Sequence, residues 1–176
     1  MPPSPFIETW LHTLSGQIAG PRRALDVAAG RGRHALLLAA LGFRTFAVDV
    51  KYDAIAEARD HGRQRGFDLR AWCQDLTTPT LPSERFELIV VARYLQRDLC
   101  PALIDALVPG GFLLYETFTE LQRGRGHGPQ SPAHLLKLGE LRQLFAGVDE
   151  IAYEELTDPS EDALARLAAR KRSSPS

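Results

Sequence analysis

One segment constrains the fold of this chain more than any other: Leu25-Asp26-Val27-Ala28-Ala29-Gly30-Arg31-Gly32-Arg33-His34. A short apolar run ends on small residues, turns through Gly30 and Gly32, and enters the helical periodicity of RHALLLAAL (33–41). Strand, glycine turn and helix in direct succession open a βαβ unit, the connection a parallel sheet requires. The alternation continues. Strands are predicted over Arg23–Ala28, Phe43–Val50, Phe67–Cys73, Phe86–Ala92, Phe112–Thr117 and Val148–Leu156. Helices are predicted over Phe6–Ile18, Arg33–Leu41, Asp53–Arg65, Pro101–Leu107 and about Gly139–Phe145. FELIVVA (86–92) is apolar without alternation, as suits a strand covered on both faces. Ser160–Arg172 reads as helix on local propensity, being rich in Ala, Leu and Arg.

At 176 residues the chain is one domain's worth of sequence, with one core. Its 44% hydrophobic content and net charge of -1 exclude an intrinsically disordered chain. The balance of 21 Lys+Arg against 22 Asp+Glu lacks the basic excess of a nucleic-acid binder. No run approaches the ~20 apolar residues of a membrane span. The N-terminus shows no basic segment leading into an apolar one, so a cytoplasmic protein is expected. Cys73 and Cys100 lack metal-type spacing and are expected as reduced, buried thiols. His127 and His134 are not spaced as ligands either, so no metal is expected.

Three readings of the glycine turn compete. Gly30-x-Gly32-x-x-Ala35 satisfies a dinucleotide fingerprint, with Asp49 where a ribose-binding acid belongs, but the chain leaves no room for a separate substrate region. The glycines could serve only strand–helix packing, which leaves Asp26, Asp49 and Asp75 unexplained together. In the third reading these acids, each at the end of a successive strand, line one edge of the sheet and meet a ligand with an ammonium, a ribose diol and an adenine amine. S-adenosylmethionine presents those groups.

On these residues the chain resembles the class I S-adenosylmethionine-dependent methyltransferases, and it looks closest to small bacterial enzymes of the tellurite-resistance type. The matching segments are LDVAAGRGRHALLLA (25–39), FAVDV (46–50), WCQDL (72–76), FELIVVARYLQRDL (86–99), LVPGGFLLYETF (107–118) and LLKLGELRQLF (135–145). The resemblance implies a Rossmann-like α/β fold: a doubly wound, mostly parallel seven-stranded sheet of order 3-2-1-4-5-7-6, the last strand antiparallel, with helices on both faces. That assigns ALARLAARK (163–171) to a strand, against propensity. It divides the chain into an arm and cap helix (1–21), a methyltransferase domain (22–172) and a disordered tail (173–176).

The resemblance also implies roles. Asp26 and the backbone from Ala28 through Gly30 to Gly32 lie against the methionine part of the cofactor. Asp49 takes the ribose hydroxyls. Asp75 accepts from the adenine amine beside Leu76, and Val50 and Trp72 flank the ring. The family usually has Gly where Ala28 stands. A methyl group is tolerated there at negative φ and crowds the cofactor at positive φ. Arg93 and Tyr94 after the fourth strand, and Glu116 in the fifth, are the candidates for orienting the acceptor or acting as base. Arg123, Arg125 and His127, in a glycine-rich loop, are read as a lid over an anionic substrate. The expected acceptor is a small molecule (a thiol, a chalcogen oxyanion or a small metabolite), handled by a monomer or homodimer without nucleic acid or membrane. The competing expectation is a cofactor-binding module without catalysis inside a larger assembly.

Overall fold

The structure, a computed structural model, describes residues 1–78 and 80–173. The expected tail therefore lies outside the described residues except for Ser173. The chain runs α1 (Pro5–Ser15), β1 (Arg23–Val27), α2 (Arg33–Ala40), β2 (Arg44–Asp49), α3 (Tyr52–Gln64), β3 (Leu69–Cys73), β4 (Phe86–Ala92), α4 (Cys100–Ala106), β5 (Leu107–Phe118), α5 (Glu140–Leu144), β6 (Val148–Glu155) and β7 (Leu164–Lys171). The seven strands form one sheet of order β3-β2-β1-β4-β5-β7-β6. β1 to β5 are parallel, while β7 runs antiparallel between β5 and β6.

Each face of the sheet has its own apolar layer. Ile89 and Val91 of β4 point into the layer with Leu103, Tyr115 and Phe145. Leu88 and Val90 point into the opposite layer, with Ile7, Leu11 and Leu14 of α1 and Leu38 of α2. The period of two, apolar on both sides, makes β4 the central strand that its sequence announces. A third cluster packs α2 and α3 over β2 and β3 through Leu36, Ile55 and Leu69.

Three features set the structure beside the sequence reading. The fifth strand begins at Leu107, five residues before the predicted Phe112, and absorbs Pro109-Gly110-Gly111 beside a register irregularity at Phe86/Leu88. Leu164–Lys171 is the strand that the resemblance implies, against its helical propensity, because it pairs on both edges and buries Ala165, Ala168 and Ala169. Two-sided ladder pairing outweighs a propensity difference of a few tenths of a kcal/mol per residue. Finally, Cys100 is buried but Cys73 is exposed at the end of edge strand β3.

Candidate functional site

The glycine turn joins β1 to α2, and its backbone leaves the ordinary region at Ala28 (φ 53), Gly30 (φ 53) and Gly32 (φ 77). Gly32 caps α2, and a Cβ built on it would stand 2.7 Å from Ala58 Cβ, so this glycine lets α2 and α3 approach. Gly30 has nothing near its missing side chain and faces open space. Ala28 is one of four non-glycine residues at positive φ among the described residues, so its methyl group sits in the conformation that disfavours it. Asp26 is 1% exposed and lies beneath the turn, where Oδ2 accepts the Ala35 N–H at 2.9 Å. Burial pushes its pKa up to about 7, against the opposing pull of that N–H and of Arg33. The structure thus places Asp26 and Gly32 behind the turn, where they shape it, and does not bring either to the cleft wall.

Above the turn a cleft of about 460 Å³ opens at the carboxyl ends of the strands. Ala28 and Gly30 form its floor, and Asp49, Val50, Asp75 and Leu76 line one side. Asp49 Oδ2 accepts from Gly30 N at 2.7 Å and Oδ1 from Lys51 N at 2.8 Å. One carboxylate therefore fixes both the turn and the start of α3. Asp75 Oδ1 accepts from Thr77 N and Oγ1 at 2.9 and 2.8 Å, which holds its carboxyl below the usual range. Asp75 Oδ2 has no partner among the described residues. Val50 is an apolar side chain left 59% exposed in this wall. Trp72, expected against the same ligand, instead packs half-buried on the main core and donates from Nε1 to Gln74 Oε1 at 2.8 Å.

Arg93 and Tyr94 line the other side of the cleft. Arg93 also adopts positive φ (57), held by its N–H to Glu116 O at 2.7 Å. Backbone strain of this kind gathers at functional sites. Burial, then the Asp75 and Asp49 carboxylates, push the Tyr94 hydroxyl up, so the phenol stays protonated as a donor. Glu116 is not in the cleft. The alternation of β5 turns it inward, 1% exposed, where Oε2 accepts from Arg166 Nε at 2.7 Å and Ser4 Oγ at 2.9 Å. A carboxylate held in a buried ion pair is a fold element and corrects the expectation of a base.

The N-terminal arm closes this end. Ser4 N–H donates to His34 Nε2 at 3.0 Å, and Arg33 Nη1 donates to Pro2 O at 3.1 Å. Burial, followed by Arg33 and Arg93, pushes His34 down to about 3, so it is a neutral acceptor. Under the arm a recess of about 330 Å³ meets Arg33, His34 and Ala92 and shares Ala28 and Gly30 with the main cleft. Arg33 makes no salt bridge among the described residues, and burial and then neighbouring Arg93 lower its pKa against the pull of Glu116 and Asp26. A cation in the first turn of a helix also opposes the helix dipole.

The glycine-rich loop is fastened down. Arg125 donates to the carbonyls of Leu121 at 3.0 Å and Asp158 at 2.9 Å, and also to that of Glu161. His127 Nε2 meets Asp162 Oδ1 at 2.9 Å. Arg123 is exposed and its side chain has no hydrogen bond among the described residues. None of these three residues lines the cleft. Sequence reasoning missed Lys51, Thr77, Leu95 and Gln96, which adjoin residues it named, and His134, which reaches the cleft from a distant loop without a sequence signal. Among the described residues no three His, Cys, Asp or Glu side chains gather as a metal site, and no helix is long and apolar enough to cross a membrane.

Residues 24–111 match the family model described as a methyltransferase domain. The chain is 32% identical over 104 residues to the ubiquinone biosynthesis O-methyltransferase of Coxiella burnetii, covering 54% of this chain and 43% of that one. It is 32% identical over 88 residues to the protein-L-isoaspartate O-methyltransferase of Stenotrophomonas maltophilia, covering 50% and 37%. The chain therefore spans less than half the length of these curated relatives. Among solved structures, TehB from Haemophilus influenzae superposes with a TM-score of 0.75 at 19% identity, covering 91% of this chain and 61% of that one. An S-adenosylmethionine-dependent methyltransferase from Mesorhizobium loti superposes with a TM-score of 0.74 at 17% identity, covering 93% and 98%. At these identities the two superpositions establish the shared fold.

Proposed function

From the premise that the chain belongs to the methyltransferase-domain family, we propose that it transfers a methyl group from S-adenosylmethionine to a small-molecule acceptor: a thiol, a chalcogen oxyanion or a small metabolite. One observation carries the cofactor half of this reading. Asp49 and Asp75, from the ends of neighbouring strands, face one cleft with an exposed apolar side chain, Val50, between them. That set fits a nucleoside. Asp49 suits the ribose hydroxyls, Asp75 the adenine amine, and Val50 with Leu76 the ring faces. The backbone of Ala28 to Gly30 suits the methionine part, with Arg33 beside it for a carboxylate. A cleft of about 460 Å³ is of the size that small ligands occupy.

S-adenosylmethionine supplies a methyl group already activated on a sulfonium centre. The protein's task is then alignment and the exclusion of water. Arg93 and Tyr94 stand where an acceptor enters, the first as a cation and the second as a neutral donor. Calorimetry with S-adenosylhomocysteine tests the reading, with NAD as control. Binding of S-adenosylhomocysteine and not NAD is expected, and the reverse preference would sink it. Ala28 at φ 53 favours one second reading, a binding module whose crowded floor misplaces the methyl group. Release of S-adenosylhomocysteine from S-adenosylmethionine when thiols, selenite or tellurite are supplied as acceptors separates the two.

A further inference from the structure

We propose that Arg93 is the anchor for an anionic group on the methyl acceptor, and that Asp162 is the positioning residue that sets it. This deepens the methyl-transfer reading and rests on it. The argument begins with what the loop cations do. Arg125 is occupied by backbone carbonyls and His127 by Asp162, so the glycine-rich loop offers the cleft no free charge from either. Arg93 differs. Its Nη2 donates to Asp162 Oδ2 at 2.6 Å, and its guanidinium lies 5.1 Å from the centre of the Phe118 ring. These two contacts hold the group without exhausting it. Nε and Nη1 find no acceptor among the described residues, and the side chain, 33% exposed, lines the cleft. A guanidinium clamped on one side with donors free on the other is an anion fork.

The charge around it points the same way. The nearby carboxylate of Glu116 is committed to Arg166, and Asp162 is shared between Arg93 and His127. Arg33 is close enough to be affected by Arg93, and it also feels the Glu116 and Asp26 carboxylates. The carboxylates nearest Arg93 are thus already engaged, and its Nε and Nη1 are the donors left for a ligand. A negatively charged acceptor group complements them. Asp162 belongs to the segment between β6 and β7 that the loop grips: Ala163 N donates to Gln122 Oε1 at 2.8 Å, and Gln122 Nε2 donates to His127 O at 3.1 Å. The loop's role is thus to hold Asp162 behind Arg93, one step removed from the acceptor.

The test uses the full chain saturated with S-adenosylhomocysteine and two isosteric probe pairs, mercaptoacetate with mercaptoacetamide and benzoate with benzamide. Affinity is read by calorimetry and the Arg93 Nε–Hε resonance by NMR. In at least one pair the carboxylate is expected to bind about tenfold more tightly than the amide and to shift that resonance, as a charge-assisted contact does. Arg93→Gln is expected to abolish the preference while retaining S-adenosylhomocysteine binding, which reports its folding. Asp162→Asn is expected to reduce the preference and move the resonance before any probe is added, with Asp162→Glu restoring both. Charged and neutral probes binding alike, or none binding at all, overturns the anchor. An unchanged resonance and preference in Asp162→Asn overturns the positioning role. Failure to bind S-adenosylhomocysteine overturns the cofactor reading instead, and the probe pairs then report on Arg93 alone.

Discussion

At the β2–β3 end of the cleft, side chains meet partners closer in sequence. Asp49 accepts from Lys51 N and Asp75 from Thr77 N, each two residues away, and the longest reach is the 19 residues from Asp49 to Gly30 N. At the β4–β5 end the separations are long: 69 residues from Arg93 to Asp162, 50 from Glu116 to Arg166 and 112 from Glu116 to Ser4. The first end is assembled by turns that form wherever the strand ends. The second exists only when β5, β7 and the N-terminal arm are all in place. Substitutions at the first should therefore act on the ligand, and substitutions at the second on the fold.

Glu116→Ala is the strongest way to break that contrast. It leaves Arg166, a largely covered cation with 17% of its side chain exposed, with only the half-exposed Glu154, and should lower unfolding free energy in urea by about 3 kcal/mol, the low end for a broken buried pair. Asp75→Ala, at an exposed site, should leave the urea midpoint essentially unchanged. Comparable losses would dissolve the distinction. Gly32→Ala comes next. Left-handed backbone and the 2.7 Å approach to Ala58 should together cost about 2–4 kcal/mol, making the turn a fold element as well as a ligand floor. Asp49→Ala should weaken S-adenosylhomocysteine by about 1.5–3 kcal/mol in calorimetry, and unchanged affinity removes it from the site.

The buried pair beneath the turn sharpens the comparison through pH. Asp26 titrates near 7 when folded and near 3.8 otherwise, so the native state holds the extra proton between these values and stability falls as pH rises through them. His34 titrates near 3 when folded and near 6.5 otherwise, so the unfolded state holds the extra proton and stability rises with pH until about 6.5. Between pH 4 and 6.5 the two slopes, each about 1.4 kcal/mol per pH unit, oppose and largely cancel. Asp26→Asn should then expose a rising stability profile and His34→Gln a falling one in urea titrations across that range. Parallel profiles for the two variants would refute the opposition. The smallest expected effect is a gain. Ala28→Gly should raise stability by about 1 kcal/mol by relieving φ 53.

Legibility in the sequence follows the same divide. Asp49 and Asp75 could be named as acids at or just past strand ends, and Val50 and Leu76 through the resemblance carried by FAVDV and WCQDL; all four line the cleft. Trp72, which the resemblance places beside the adenine, packs on the core instead, since alternation along β3 does not say which face an aromatic ring will choose. A place near a strand end makes Asp26 and Glu116 site candidates, yet both point inward. A strand end locates a residue along the sheet and leaves its facing to twist and register. Asp162 carried no signal, because nothing local distinguishes an acid that will meet Arg93 from any other surface acid.

By itself the sequence determined the glycine turn, the strand–helix alternation, the parallel half of the sheet and the β2–β3 end of the cleft. These rest on periodicity and turn chemistry, which act over a few residues. Only the tertiary structure decided that Glu116 joins Arg166 and Ser4, and that Asp162 stands behind Arg93. Those outcomes depend on free energies gained when distant segments pack together, and local preference neither contains nor opposes them strongly enough to be read.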